Sequence, residues 1–264
     1  MKFAGSILLA ALVAAAPVRA HFLEIIPSAD VLPEGGELTL DLVFTHPMAR
    51  GPVMDLAGPK RVGAFRGETT EELTAALVAA PVAGHAAWRL AHRLDRPGAV
   101  QYFVEPQPYW EAAERKWIVH YAKVIVDGFA SGDGWSAPVG LPVEIEPLTR
   151  PTGLWTGQMF RGLVRHDGAP VPFAEVEIEW RNDGSVTPPN EAFVTQVVRA
   201  DALGVFAQAL PRAGWWGFAA LVEGPATTGP NGEAAATELG GLLWVKATDM
   251  GAPAASGGAP STAR

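Results

Sequence analysis

The sequence predicts an all-β protein made of two β-sandwich domains in tandem. Three observations carry that expectation. Gly 29 and Pro 23 in 264 residues cut the chain into short runs, as turns between strands do. Glu37–Phe44 alternates polar with apolar residues, and Lys116–Val126 reads as a second strand of the same kind; a period of two marks strands with one face buried. Beyond residue 150, short apolar runs recur at regular intervals between Asp-Gly and related turns, the spacing of a sandwich.

Composition bounds the function. Hydrophobic residues make up 48% and charged residues 18%, enough apolar surface to order most of the chain. A formal charge of −8 argues against nucleic acid, whose phosphates require a basic surface. Cysteine is absent. Disulfides, iron–sulfur clusters, thiolate zinc sites and cysteine nucleophiles are excluded together. A metal would have to be held by His, carboxylate, Met or backbone groups.

Residues 1–20 read as a secretory signal peptide. Met1-Lys2-Phe3 is a short basic start, Gly5–Ala16 an apolar run, and Pro17-Val18-Arg19-Ala20 a cleavage region with compact residues at −3 and −1. No later stretch approaches the ~18 apolar residues of a membrane span. The mature chain is therefore expected in the periplasm and not membrane-spanning. Losing Lys2 and Arg19 leaves 18 basic against 28 acidic residues, a charge of −10.

Cleavage after Ala20 also creates chemistry. It makes His21 the N-terminus, so one residue offers two nitrogen donors, its α-amine and its imidazole. Phe22–Ile26 reads as a strand and Glu37–Phe44 as its partner, with the turn signal Pro33-Glu34-Gly35-Gly36 between them. A reversal about Pro33/Glu34 pairs residues whose numbers sum to about 67, which sets His21 opposite His46. Opposed residues sit ~4.5–5.5 Å apart, close enough to share one ion. Three nitrogens of this kind suit copper or nickel.

Other residues in this first domain, expected over 21–148, rank lower. His120 shares a strand face with Ile118 and Ala122, as either a hydrogen-bonded core residue or a ligand. His85, His92 and His166 are expected to be solvated. Met48 and Met54 follow His46 and could each add a thioether, though Met54 reads more readily as packing. Glu105 and Glu111 are candidate carboxylate ligands or acceptors for a metal-bound imidazole. Tyr109-Trp110 reads as a packed, proline-stiffened loop.

Pro142–Pro151 is an extended, proline-spaced crossing and the expected domain boundary. The second domain, 149–249, carries expected strands at 159–165, 174–180, 193–200, 204–209, 216–222 and 240–245. Its turns are His166-Asp167-Gly168, Asn182-Asp183-Gly184, Asp201–Gly204 and Arg212-Ala213-Gly214. The string G-L-V-R-H-D-G-A-P-V-P-F-A-E-V-E-I followed by A-D-A-L-G-V-F resembles transthyretin-like or carboxypeptidase-regulatory modules. The fold class is accordingly two Ig-like or transthyretin-like sandwiches. No nucleophile–base pair, phosphate loop or HExxH string is present, so no enzyme is expected. Trp215-Trp216 is expected in the core or the seam between the halves. Residues 250–264 are low-complexity and expected to be disordered.

The joint motif set, F-T-H-P-M, E-P-Q-P-Y-W-E with I-V-H-Y-A-K-V-I-V, P-V-G-L-P-V-E-I-E-P-L-T-R-P and A-F-V-T-Q-V-V-R-A-D-A-L-G-V-F with A-G-W-W-G-F-A-A-L, resembles one exported bacterial family of unknown function. Its members are associated with nickel and cobalt transporters as the NikK-like periplasmic component. The resemblance runs from His21 to Val245. It implies metal handling outside the inner membrane, with His21, His46 and His120 at the family's histidine positions. Met48-Ala49-Arg50-Gly51-Pro52 departs from the acidic or Gly-Gly loop more usual there.

The expectation is a periplasmic protein that binds Ni²⁺ or Co²⁺ (Cu²⁺ is a further candidate) at His21, His46 and His120 for uptake by an inner-membrane nickel/cobalt transporter. Two rivals come from other classes. One is a histidine-brace copper protein or oxidase using the same terminus. The other is a structural or adhesive β-protein whose histidines are incidental.

Overall fold

The computed structural model describes residues 21–251. The expected signal peptide 1–20 and nearly all of the expected 250–264 tail lie outside the described residues. Within them the chain is built of strands, with two short 3-10 turns and no α-helix.

Strands of three or more residues run in order as β1 (Phe22–Pro27), β2 (Gly36–Thr45), β3 (Arg61–Arg66), β4 (Thr69–Glu72), β5 (Trp88–Leu94), β6 (Gly98–Glu105), β7 (Tyr109–Glu111) and β8 (Lys116–Gly128). They continue as β9 (Val143–Pro147), β10 (Met159–His166), β11 (Glu175–Trp180), β12 (Gln196–Arg199), β13 (Val205–Ala209), β14 (Gly214–Glu223) and β15 (Ala234–Thr248). The strands expected at 22–26, 37–44, 116–126 and in the second half are present, while β3 to β6, over 61–105, are not read from the sequence. The strand expected over 193–200 opens instead as a 3-10 turn, Glu191–Phe193, because the Asn190 side chain accepts from the Ala192 N–H; extended pairing begins only at Gln196.

Three sheets form. A small one orders β1-β2-β5. The largest orders β12-β11-β14-β15-β8-β6-β3-β4, with β7 paired on β8. The third sets β10 between β9 and β13. The residues expected as two domains are joined in the large sheet, where β8 and β15 pair in parallel from Lys116↔Ala236 to Val124↔Trp244. At the expected boundary, β9 pairs antiparallel with β10 from Val143↔His166 to Pro147↔Gly162.

The central strands of the large sheet are buried on both faces, and their alternate residues serve different cores. Ala122, Val124, Ala219, Leu242 and Trp244 join the core under the small sheet, with Phe22, Leu40 and Tyr102. Ile125, Phe218, Ala220, Leu243 and Val245 join the core under the third sheet, with Phe160, Val164 and Phe206. A strand covered on both faces needs a continuous apolar run; Leu242-Leu243-Trp244-Val245 is one. Trp216 lies in the second core while Trp215 packs on the first, so the pair straddles the sheet. Trp244 also donates its indole N–H to the Leu23 carbonyl at 2.9 Å, tying β15 to β1.

Candidate metal centre

The β1–β2 hairpin keeps one register throughout. Phe22 pairs with Thr45, Leu23 with Phe44 and Ile25 with Leu42, every pair summing to 67. Pro27 is accommodated as the last residue of β1, opposite Leu40. One step beyond the hairpin's open end lie His21 and His46, with ring centroids 4.7 Å apart.

His46 is buried and opens a loop that other elements hold. The Gly51 N–H donates back to the His46 carbonyl at 3.1 Å. The second half of the chain completes the clasp. Met48 N–H donates to the Glu179 carboxylate at 2.8 Å, Asn182 N–H to the Pro47 carbonyl at 3.2 Å, and Asn182 Nδ2 to the Met48 carbonyl at 3.0 Å. Met48 packs against the second core, and Met54 is buried in the first.

Around His21 lies an aromatic wall. Phe44 stacks on its ring at 5.6 Å and Tyr109 tilts against it at 6.0 Å. Tyr109 reaches this place because the segment expected as a packed loop forms β7, pairing Tyr109 with Ile118 and Glu111 with Lys116. The same hairpin brings a Glu111 oxygen to 3.0 Å from His21 Nε2. Burial, then the neighbouring His46, lower the His21 imidazole to a pKa of about 4 against the opposing pull of Glu111. At neutral pH the ring is uncharged and keeps a lone pair for a ligand.

His120 touches Phe44 edge-on from another side, with centroids 6.2 Å apart. Only 3% of it is exposed. Its Nε2 lies 3.3 Å from a Glu238 oxygen, while its Nδ1 is buried without a hydrogen-bond partner. Buried polar atoms are nearly always paired, so an orphan nitrogen has room for a partner such as a water or an ion. Lys116 donates to the other Glu238 oxygen at 2.6 Å. Burial raises the Glu238 carboxyl, but His120 and Lys116 outweigh it and hold the group at about 2.

The structure therefore brings His21 and His46 into contact, with His120 nearby behind a shared phenylalanine. Among the described residues no three His, Asp or Glu side chains converge as a closed metal cage. Of the expected imidazole donors, His21 and His46 meet directly, while His120 is not gathered with them into a three-ligand group. Of the candidate carboxylates, Glu111 is at the site, whereas Glu105 bonds Arg61 at 3.1 Å. Sequence reasoning missed Glu238, which reaches His120 only through the parallel pairing of β8 with β15. It also missed Gly240, opposite His120 in that pairing. A Cβ on Gly240 would lie 2.5 Å from His120 Cδ2, so only glycine leaves room for the ring.

His85 and His166 are partly exposed, at 44% and 37% of the side chain. His92 is a correction. It is half-buried, 2.7 Å from the Tyr102 hydroxyl and 3.3 Å from Glu71, because β5 lays it beside β6 rather than in solvent.

Residues 18–224 match the family model described as "Domain of unknown function (DUF4198)". The chain belongs to that family. The match takes in His21, His46, Glu111 and His120, while Glu238 and Gly240 lie beyond it. No curated protein matches the chain. Among solved structures, the chain is similar to the adhesin InvE of Yersinia pseudotuberculosis at 12% identity and a TM-score of 0.21, covering 83% of this chain and 58% of that one. It is also similar to dimeric latent PorU of Porphyromonas gingivalis, at 12% identity and a TM-score of 0.22, covering 87% of this chain and 20% of that one. A third likeness is to the titin Ig tandem domains A164-A165, at 11% identity and a TM-score of 0.17, covering 88% of this chain and 98% of that one. The chain thus spans little more than half of the adhesin and a fifth of PorU. Among the described residues no helix is long and apolar enough to cross a membrane.

Proposed function

We propose that this DUF4198 protein is an exported, non-enzymatic metal-binding protein that takes Ni²⁺ or Co²⁺ in the periplasm for uptake by an inner-membrane transporter. The donors are the α-amine and imidazole of mature His21, the imidazole of His46 and the imidazole of His120. The observation that carries the reading is the contact of His21 with His46 at 4.7 Å, just where the hairpin register sets them opposite. The orphan Nδ1 of the buried His120 supports it, since an ion would satisfy that lone pair. The transporter and the identity of the cargo rest on the NikK-like resemblance of the motifs.

Imidazole and amine donors suit nickel and cobalt, but the Irving–Williams order gives copper the greatest raw affinity. Selectivity must then come from supply and geometry. Equilibrium titration of protein beginning at His21 with Ni²⁺, Co²⁺ and Cu²⁺ tests the reading. Binding at micromolar or tighter Kd is expected, with its loss when one glycine precedes His21. Equal binding by the extended chain sinks the N-terminal chelate. Reductant-dependent peroxide formation by the copper-loaded protein would replace the carrier reading with an oxidative one.

A further inference from the structure

A neutral imidazole carries one proton, and the nitrogen without it is the one that can bind a metal. Which nitrogen that is depends on what the other touches. At His21, Nε2 lies 3.0 Å from Glu111. At His120, Nε2 lies 3.3 Å from Glu238. An ionised carboxylate only accepts hydrogen bonds, so each carboxylate draws the proton to Nε2 and leaves the lone pair on Nδ1.

We infer that Glu111 and Glu238 are positioning residues that make Nδ1 the metal-facing nitrogen of both His21 and His120. This rests on the proposed metal reading and adds to it the donor atom and the residues that choose it.

At His21 the choice has a geometric consequence. The α-amine and Nδ1 of one histidine close a six-membered ring on a metal ion. Nε2 sits on the far side of the imidazole and cannot close that ring. Glu111 therefore occupies the nitrogen that chelation leaves unused. At His120 the ring is held on two sides. Its Cδ2–Nε2 edge lies against Gly240, close enough that an added Cβ would come within 2.5 Å of Cδ2 and 2.9 Å of Nε2. Nδ1, on the opposite edge, is the buried atom without a partner. Glu238 is itself anchored, one oxygen toward His120 and the other accepting from Lys116 at 2.6 Å. Lys116 also pairs with Glu114 at 2.6 Å. Carboxylates of this kind fix ring orientation and raise the donor strength of the bound nitrogen, and their loss typically costs ~10–100-fold in metal affinity.

Two measurements test the inference on metal-free and titrated protein beginning at His21. Long-range proton–nitrogen correlation of the metal-free protein reads the tautomer directly, and the Nε2–H form is expected at both His21 and His120. Ni²⁺ titration of Glu111→Gln and Glu238→Gln, each checked for folding by circular dichroism, is expected to show affinity lowered ~10–100-fold. An Nδ1–H tautomer at either ring overturns the assignment, whatever the metal does. Affinity unchanged in both variants also overturns it, because the pinned rings would then be structural. A wild type that takes no metal, with Nε2–H tautomers intact, overturns the metal reading itself. The two failures are thereby told apart.

Discussion

His21 and His46 face each other past the open end of the β1–β2 hairpin, their rings 4.7 Å apart. A single hairpin register sets this contact, and the loop after His46 is clasped by Glu179 and Asn182 from the other half of the chain. His21→Ala and His46→Ala should each lower Ni²⁺ affinity at least ~100-fold, about 2.7 kcal/mol. Titration calorimetry at neutral pH measures it. Fold stability without metal should change less for half-buried His21 than for fully buried His46.

Gly240 leaves room for the His120 ring. Gly240→Ala places a methyl 2.5 Å from His120 Cδ2, so the ring or strand β15 must shift. Overpacking of this kind costs ~1–3 kcal/mol, read as a lower urea midpoint. Ni²⁺ affinity should fall in the same variant, because His120 is displaced from Glu238. Wild-type stability in Gly240→Ala would show that the ring has room to spare.

Lys123 is fully buried and pairs with Glu144, whose carboxylate also accepts the N–H groups of Val139 and Gly140 at 2.8 and 2.9 Å. This group ties β8 of the large sheet to the loop before β9. Lys123→Met leaves a buried carboxylate without its cation, a loss of ~3–5 kcal/mol. Adding Glu144→Gln to that variant should restore part of it. Chemical denaturation of the two single variants and the double variant gives the coupling.

Glu177 sets a pH dependence of the fold. Burial, then the nearby Glu238 and Glu179, raise its carboxyl to about 7. A folded-state value above the unfolded one means that folded protein holds the proton more tightly. Its stabilising contribution is complete below pH ~4.5 and is lost as pH rises through about 7. Glu177→Gln should therefore match wild type at pH 4 and exceed it at pH 8, by on the order of 2 kcal/mol. Thermal melts at the two pH values check the sign; equal melting temperatures at pH 8 would refute it.

Part of the strand order was legible, where local alternation reports one buried face, but β3 to β7 were not. Glu37–Phe44 alternates and forms β2; Phe22–Ile26 forms β1 against it, and the turn residues between them yielded the 67 register. The 15-residue β15 was recognisable only over 240–245, since Ala-Ala-Ala-Thr-Glu before it carries no alternation. Glu111 could be nominated, with Glu105, only as a carboxylate beside the Tyr109-Trp110 pair, and the hairpin that brings it to His21 came from the structure. Nothing local could nominate Glu238, which is 118 positions from His120.

By itself the sequence determined an all-β chain and the pairing of His21 with His46. Both follow from period-two burial and turn chemistry, which are local. Tertiary structure decided the rest. The parallel pairing of β8 with β15 sets Gly240 beside His120 and brings Glu238 to its Nε2, and it runs one sheet through both halves. Such a pairing is specified by cores on two faces of the sheet at once, and no window of neighbouring residues contains that information.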